Sequence, residues 1–206
     1  MTHDADGILV LVRHGESEWN AKNIWTGLTD IGLSEKGREE ARSVAHKIAD
    51  IRFDIAFTSM LSRASETLRI ILETLHVHDI PVNSNPALNE RDYGVFTGKN
   101  KLEIKTRLGD VEYLRLRRGW DYPIEKGESL KQVYERVVPY YDTSIAPFIR
   151  EGKHVLVVAH GNSLRALIKK MEHISDYDIP NVELTTGQIL LYRIDASGAV
   201  VSKEER

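Results

Sequence analysis

The sequence predicts an α/β fold in three layers, a mostly parallel sheet with helices on both faces. Two observations carry that expectation. Residues 8–12 and 155–159 are continuous apolar runs rich in β-branched side chains, as expected of strands covered on both faces. Around them, stripes of apolar residues at helical spacing alternate with short strand-like runs, the pattern of a wound α/β sheet.

The elements follow in order. The first strand is residues 8–12. Ser34 is a good N-cap for a helix with Ala41, Val44, Ala45 and Ile48 on one face. Residues 54–58 read as a short strand. Ser59 is positioned to cap the next helix, whose inner stripe is Ala64, Leu68, Ile71, Leu72 and Leu75, with Arg63 about one turn in. Residues 83–98 hold Pro86, Tyr93, Gly94 and Gly98 and read as loop, followed by polar helical segments to Arg118. A helix is expected from Ser129 to near Arg150, kinked or broken at Pro139 and Pro147. Strand 155–159 precedes a helix capped by Asn162 or Ser163, and residues 188–194 form a last strand after a turn at Gly187.

Composition narrows the function. The chain has 206 residues, long enough for one domain spanning 1–206 with a sizeable core. A net charge of −3 provides no global field for nucleic acid or an anionic membrane. The absence of cysteine excludes disulfides, thiol nucleophiles and thiolate metal sites, and fits a reducing compartment. The first seven residues lack the basic and apolar regions of a signal peptide, and no apolar run reaches a membrane span, so a cytoplasmic protein is expected.

Both buried strands end in a histidine followed by glycine: Arg13-His14-Gly15 and His160-Gly161-Asn162. If the strands lie parallel, both imidazoles emerge at the sheet edge where open α/β sheets bind ligands. Gly15 would let the backbone turn and leave room for a ligand. Paired histidines among arginines suit phosphoryl transfer. A neutral imidazole can attack phosphorus, its free pKa being about 6.5. Arg13 and Arg63 would grip phosphate oxygens through their planar forks, and a protonated His160 would stabilise transition-state charge. His76-Val77-His78 has the spacing of one strand face but no acidic neighbours, and reads as solvated chain rather than a metal site. No metal is expected.

Longer motifs sharpen this picture. Residues 13–20 (Arg13 to Asn20), Trp25-Thr26-Gly27, and Leu33-Ser34-Glu35-Lys36-Gly37 resemble the cofactor-dependent phosphoglycerate mutases of the histidine phosphatase superfamily. So do Ser62-Arg63-Ala64, Asn89-Glu90-Arg91-Asp92-Tyr93-Gly94, Lys101, Arg117-Arg118-Gly119 and the stretch from Ala159 to Leu167. The resemblance runs from about Leu9 to Ile194.

It implies a phosphoglycerate mutase-like fold and interconversion of 3- and 2-phosphoglycerate. It further implies a phosphohistidine at His14, primed by 2,3-bisphosphoglycerate. His160 would be the transition-state histidine and Glu90 the acid and base for the substrate hydroxyl. Arg13, Arg63, Ser17, Asn20, Thr26, Gly27, Gly161 and Asn162 would hold the transferring phosphate. Arg91, Tyr93, Lys101, Arg117 and Arg118 would bind the rest of the phosphoglycerate. Two phosphates, each carrying about −1.5 to −2, and a carboxylate call for a strongly cationic pocket of this kind. The alternative is a histidine-type phosphatase for a small phosphorylated metabolite; a phospholigand-binding protein is disfavoured by the two histidines and Glu90. A homodimer is compatible with the resemblance but not implied by it.

The chain departs from the family pattern in places. The connection from Gly119 to Ser129 is short where longer members carry an extended segment, and only Ala199 to Arg206 follow the last expected strand. Both features bear on how well water is excluded, and so on mutase against phosphatase behaviour. Asp92 stands where histidine is common, and Trp25 where phenylalanine is common.

Overall fold

The computed structural model describes residues 6–206, so the reading of the first seven residues lies largely outside it. One sheet of six strands organises the chain; across it they run β3 (Val82–Ser84), β2 (Ile55–Thr58), β4 (His154–Ala159), β1 (Gly7–Arg13), β5 (Ile189–Ile194) and β6 (Val200–Glu205). Strands β1 (Gly7–Arg13) and β4 (His154–Ala159) are parallel neighbours, with Arg13 opposite Ala159, so the two histidines leave the sheet side by side. Strand β2 (Ile55–Thr58) is parallel to β4, whereas β5 (Ile189–Ile194) runs antiparallel to β1. The central strands are apolar because both faces are covered: Leu9, Val10, Leu11, Val12 and Val155 to Ala159 are fully buried. Each such aliphatic side chain stabilises the fold by about 1.5–3 kcal/mol relative to exposure.

Helices α2 (Glu35–Lys47) and α3 (Ser62–Thr74) cover the face carrying Val10, Val12 and Val158. Helices α6 (Leu130–Tyr140), α7 (Ala146–Arg150) and α8 (Gly161–Met171) cover the face carrying Leu9, Leu11 and Val157. Ser34 caps α2 by accepting the Gly37 N–H, as expected. No described helix is long and apolar enough to cross a membrane.

A short helix, α1 (Glu18–Ala21), follows β1, while α4 (Lys101–Leu108) and α5 (Asp110–Arg118) form an excursion away from the sheet. Gly109, with φ 77°, separates α4 from α5. The excursion has its own apolar cluster of Trp25, Tyr93, Ile104, Tyr113, Leu116 and Ile124. That cluster holds Lys101 and Arg117 over the carboxyl ends of the strands.

Several local expectations need correction. Val82–Ser84, read in part as loop, is the edge strand β3; all of it is exposed, so no apolar pattern announced it. Residues after the expected last strand form β6 (Val200–Glu205), antiparallel to β5 and too charged to read as strand. The α6–α7 run does not break at Pro139. A π-helical stretch, Tyr141–Ile145, follows it, and Pro147 sits in the first turn of α7, where its missing N–H costs nothing. Arg63 is the second residue of α3 rather than a turn in. Gly15 does not make room for a ligand. A Cβ there would lie 2.2 Å from the Gly37 carbonyl oxygen, so the glycine admits the backbone of α2.

Candidate active site

The carboxyl ends of β1, β2 and β4 meet the excursion at one cleft. Its walls include Arg13, His14, Asn20, Thr26, Gly27, Arg63, Glu90, Tyr93, Lys101, Arg117, Arg118, Gly161 and Asn162. Of the residues singled out by the sequence, Ser17, Arg91 and His160 lie behind this wall.

His14 is buried except toward the cleft. Its Nδ1 lies 2.6 Å from the Gly15 carbonyl oxygen. A carbonyl only accepts, so Nδ1 carries the hydrogen and the lone pair is on Nε2. Burial, with Arg63 and Arg13 close by, holds the imidazole well below its ordinary range, so the ring is neutral at pH 7.

His160 packs edge-on against His14 with ring centroids 4.9 Å apart. Its Nε2 meets Ser59 Oγ at 2.7 Å. Ser59 Oγ also accepts the Leu61 N–H at 3.2 Å. The other ring nitrogen, Nδ1, is buried without a partner among the described residues. Burial, Arg63, His14, Arg13 and Arg136 all hold His160 well below the usual imidazole range. This environment disfavours the expected imidazolium, which a bound dianionic phosphate would favour. The helix cap expected at Ser59 does not form: α3 begins at Ser62 with Leu61 as N-cap, and Ser59 bonds the histidine instead.

The arginines are set by backbone carbonyls. Arg63 donates to Thr29 O at 3.0 Å and Gly27 O at 2.9 Å. Arg13 donates to Leu184 O, while its Nε is buried without a partner among the described residues. Burial lowers both guanidinium pKa values, yet both remain cationic. Gly27 adopts φ 54°, a left-handed turn in the wall of the cleft. Ser17 is fully buried and caps α1 by accepting the Asn20 N–H at 3.2 Å, while Asn20 Oδ1 accepts the Ser17 N–H. Its role is to hold Asn20 at the cleft.

Glu90 enters from the loop between β3 and the excursion. Its Oε1 accepts N–H bonds from Arg91 at 2.7 Å and from Asn162, at 3.2 Å from the backbone and 3.0 Å from the side chain. Oε2 takes none of these bonds and lies beside Gly161, where a Cβ would sit 3.7 Å away. One oxygen is thus fixed and the other left for a ligand hydroxyl. Asn162 also donates to Tyr93 Oη at 3.0 Å and accepts from Arg165 at 3.0 Å, so its amide orientation is determined.

The outer end is cationic. Lys101 is pushed down to about 8 by burial and by Arg117 and Arg13. Arg91, fully buried, donates to Leu116 O at 3.0 Å and Arg117 O at 3.2 Å and stacks 4.6 Å from the Tyr93 ring. It does not line the cleft; it caps the last turn of α5, which carries Arg117 and Arg118, while its Nε and Nη1 are buried without partners among the described residues.

The cleft also contains residues for which the sequence suggested no role. Trp25 lies 4.3 Å from Tyr93, ring to ring. Arg165 donates to Ile179 O at 2.8 Å and Arg118 O at 2.9 Å, and burial pushes it down to about 9. It lies three residues beyond Asn162 on α8, a spacing that marks the same helix face. Glu183 and Leu184 come from an irregular segment with no periodicity to flag them. His76 and His78 sit in the turn after α3, and no cluster of three metal-ligating side chains occurs among the described residues.

Comparison with known proteins agrees with this geometry. Residues 9–205 match the family model of the histidine phosphatase superfamily (branch 1). The chain is 47% identical to a 2,3-bisphosphoglycerate-dependent phosphoglycerate mutase of Parvibaculum lavamentivorans, covering 96% of this chain and 95% of that protein. It is also 47% identical to the protein of the same name from Beijerinckia indica, covering 97% of each. Among solved structures, Bacillus stearothermophilus YhfR shares the fold with a TM-score of 0.82 at 24% identity, over 94% of each chain. A mycobacterial glucosyl-3-phosphoglycerate phosphatase shares it with a TM-score of 0.78 at 24% identity, over 90% of this chain and 92% of that one. The chain belongs to branch 1 of the histidine phosphatase superfamily.

Proposed function

We propose that the protein is a 2,3-bisphosphoglycerate-dependent phosphoglycerate mutase, interconverting 3-phosphoglycerate and 2-phosphoglycerate through phosphohistidine at His14. One observation carries the reading. The cleft has a neutral imidazole with a free Nε2 lone pair between Arg13 and Arg63 at one end, and a second cationic end at Lys101, Arg117 and Arg118. The near-full-length relatives bearing that name support it.

His14 Nε2 attacks phosphorus of the bisphosphate primer; an N–P bond forms as the P–O bond to the glycerate breaks. Glu90 Oε2, in its acid form, gives its proton to the departing oxygen. In the return step Glu90 takes the proton of a monophosphate hydroxyl, and that oxygen displaces His14 from phosphorus. Arg13 and Arg63 neutralise the equatorial oxygens, and His160, packed edge-on against His14, assists as charge develops. The arginines supply the charge stabilisation a metal would otherwise give and repel a cation, so metal chelators are expected to leave activity unchanged. The reading treats residues 1–206 as one domain in the cytoplasm, acting on phosphoglycerates and not on nucleic acid or membranes.

The test supplies 3-phosphoglycerate with a trace of 2,3-bisphosphoglycerate and follows 2-phosphoglycerate and free phosphate. Rapid isomer formation with little free phosphate is expected. Free phosphate alone would make the protein a phosphatase instead.

A further inference from the structure

Residues 182–184 form a strap held by the same arginines that face the cleft. Val182 O accepts from Arg118 at 3.1 Å, Leu184 O accepts from Arg13, and the Glu183 carboxylate pairs with Arg118 and lies 3.7 Å from Arg117. Glu183 is 58% exposed at the rim, whereas the Arg118 side chain is only 12% exposed. The protein thus places its own carboxylate on the cations at the outer end of the cleft. Those two arginines have no other side-chain partner of opposite charge among the described residues.

We infer that Glu183 is a built-in competitor for the outer anion subsite and sets the discrimination between mono- and bisphosphorylated ligands. The inference rests on the phosphoglycerate reading above. A ligand whose outer group is a phosphate, carrying about −1.5 to −2, must displace Glu183 or sit against its charge. A ligand whose outer group is a carboxylate or hydroxyl meets less repulsion. The penalty is therefore larger for the bisphosphate, which keeps that species from being trapped in a strongly cationic cleft and lets it turn over. Because Glu183 is exposed, its competition is modest and sensitive to salt.

The experiment measures Kd by calorimetry for 2,3-bisphosphoglycerate and 3-phosphoglycerate, in a His14→Ala background that blocks phosphoryl transfer. Glu183→Gln is expected to tighten the bisphosphate about fivefold and the monophosphate at most about twofold. The gain should shrink at 0.5 M KCl, and Glu183→Asp should stay near the parent. Unchanged or weaker bisphosphate binding in Glu183→Gln, or an equal gain for both ligands, overturns the inference alone. Failure of the parent to bind either ligand overturns the phosphoglycerate reading and this inference with it.

Discussion

The hydrogen bond from His14 Nδ1 to the Gly15 carbonyl oxygen, 2.6 Å long, determines which nitrogen of the ring can act as nucleophile. The bond turns a side chain that could exist as either tautomer into one with its lone pair on Nε2. Local backbone geometry therefore prepares the nucleophile before any ligand arrives.

Ser59 should matter to rate more than to binding. Ser59→Ala removes the 2.7 Å bond to His160 Nε2 and releases the orientation of that ring. A lost neutral hydrogen bond is worth about 0.5–1.5 kcal/mol, so kcat should fall roughly three- to tenfold with little change in KM. Ser59→Thr, which keeps the hydroxyl, should recover most of the loss. Steady-state kinetics on the three proteins decide it; an equal rise in KM in both variants would point to a packing role.

Arg91 should show the opposite split. Arg91→Lys cannot span the carbonyls of both Leu116 and Arg117, so the last turn of α5 loosens. KM is expected to rise severalfold with a smaller fall in kcat, and stability to drop by about 1–3 kcal/mol. Kinetics and urea denaturation of one preparation measure both; an unchanged KM would contradict the capping role.

Stability should decline in mild acid. His14 and His160 are held below their free range, so the unfolded chain binds protons that the folded one refuses as pH falls below about 6.5. Their contribution is complete above that pH and lost below it, at up to about 1.4 kcal/mol per pH unit for each ring. Carboxylates such as Glu128, held down by Arg136, contribute only in stronger acid. Urea midpoints between pH 7.5 and 5.5 should fall, less steeply in His14→Ala; a flat profile in the parent would contradict neutral burial of the pair.

How much could be read without the structure depends on what each residue does. The apolar runs of β1 and β4 and the stripes of α2 and α3 were legible because burial on both faces or on one stripe leaves a periodic trace. Strands β3 and β6 were not, since edge strands made of exposed polar residues leave none. Side chains that meet a ligand were readable from the His-Gly pairs and the resemblance. Residues behind the cleft wall leave no such trace: Arg91 and Ser17 bond to backbone and neighbouring side chains there, and Ser59 meets His160 rather than capping a helix. Glu183 escaped notice because a single acid in an irregular segment is meaningful only once it is seen on Arg118.

Phosphate transfer to Nε2 of His14 is the central claim to test. Phosphorus-31 NMR of the denatured protein after brief reaction with 2,3-bisphosphoglycerate reads it directly. One phosphohistidine signal, that of an Nε2 adduct, is expected, absent from His14→Ala. An Nδ1 adduct, or a label that persists in His14→Ala, would contradict it.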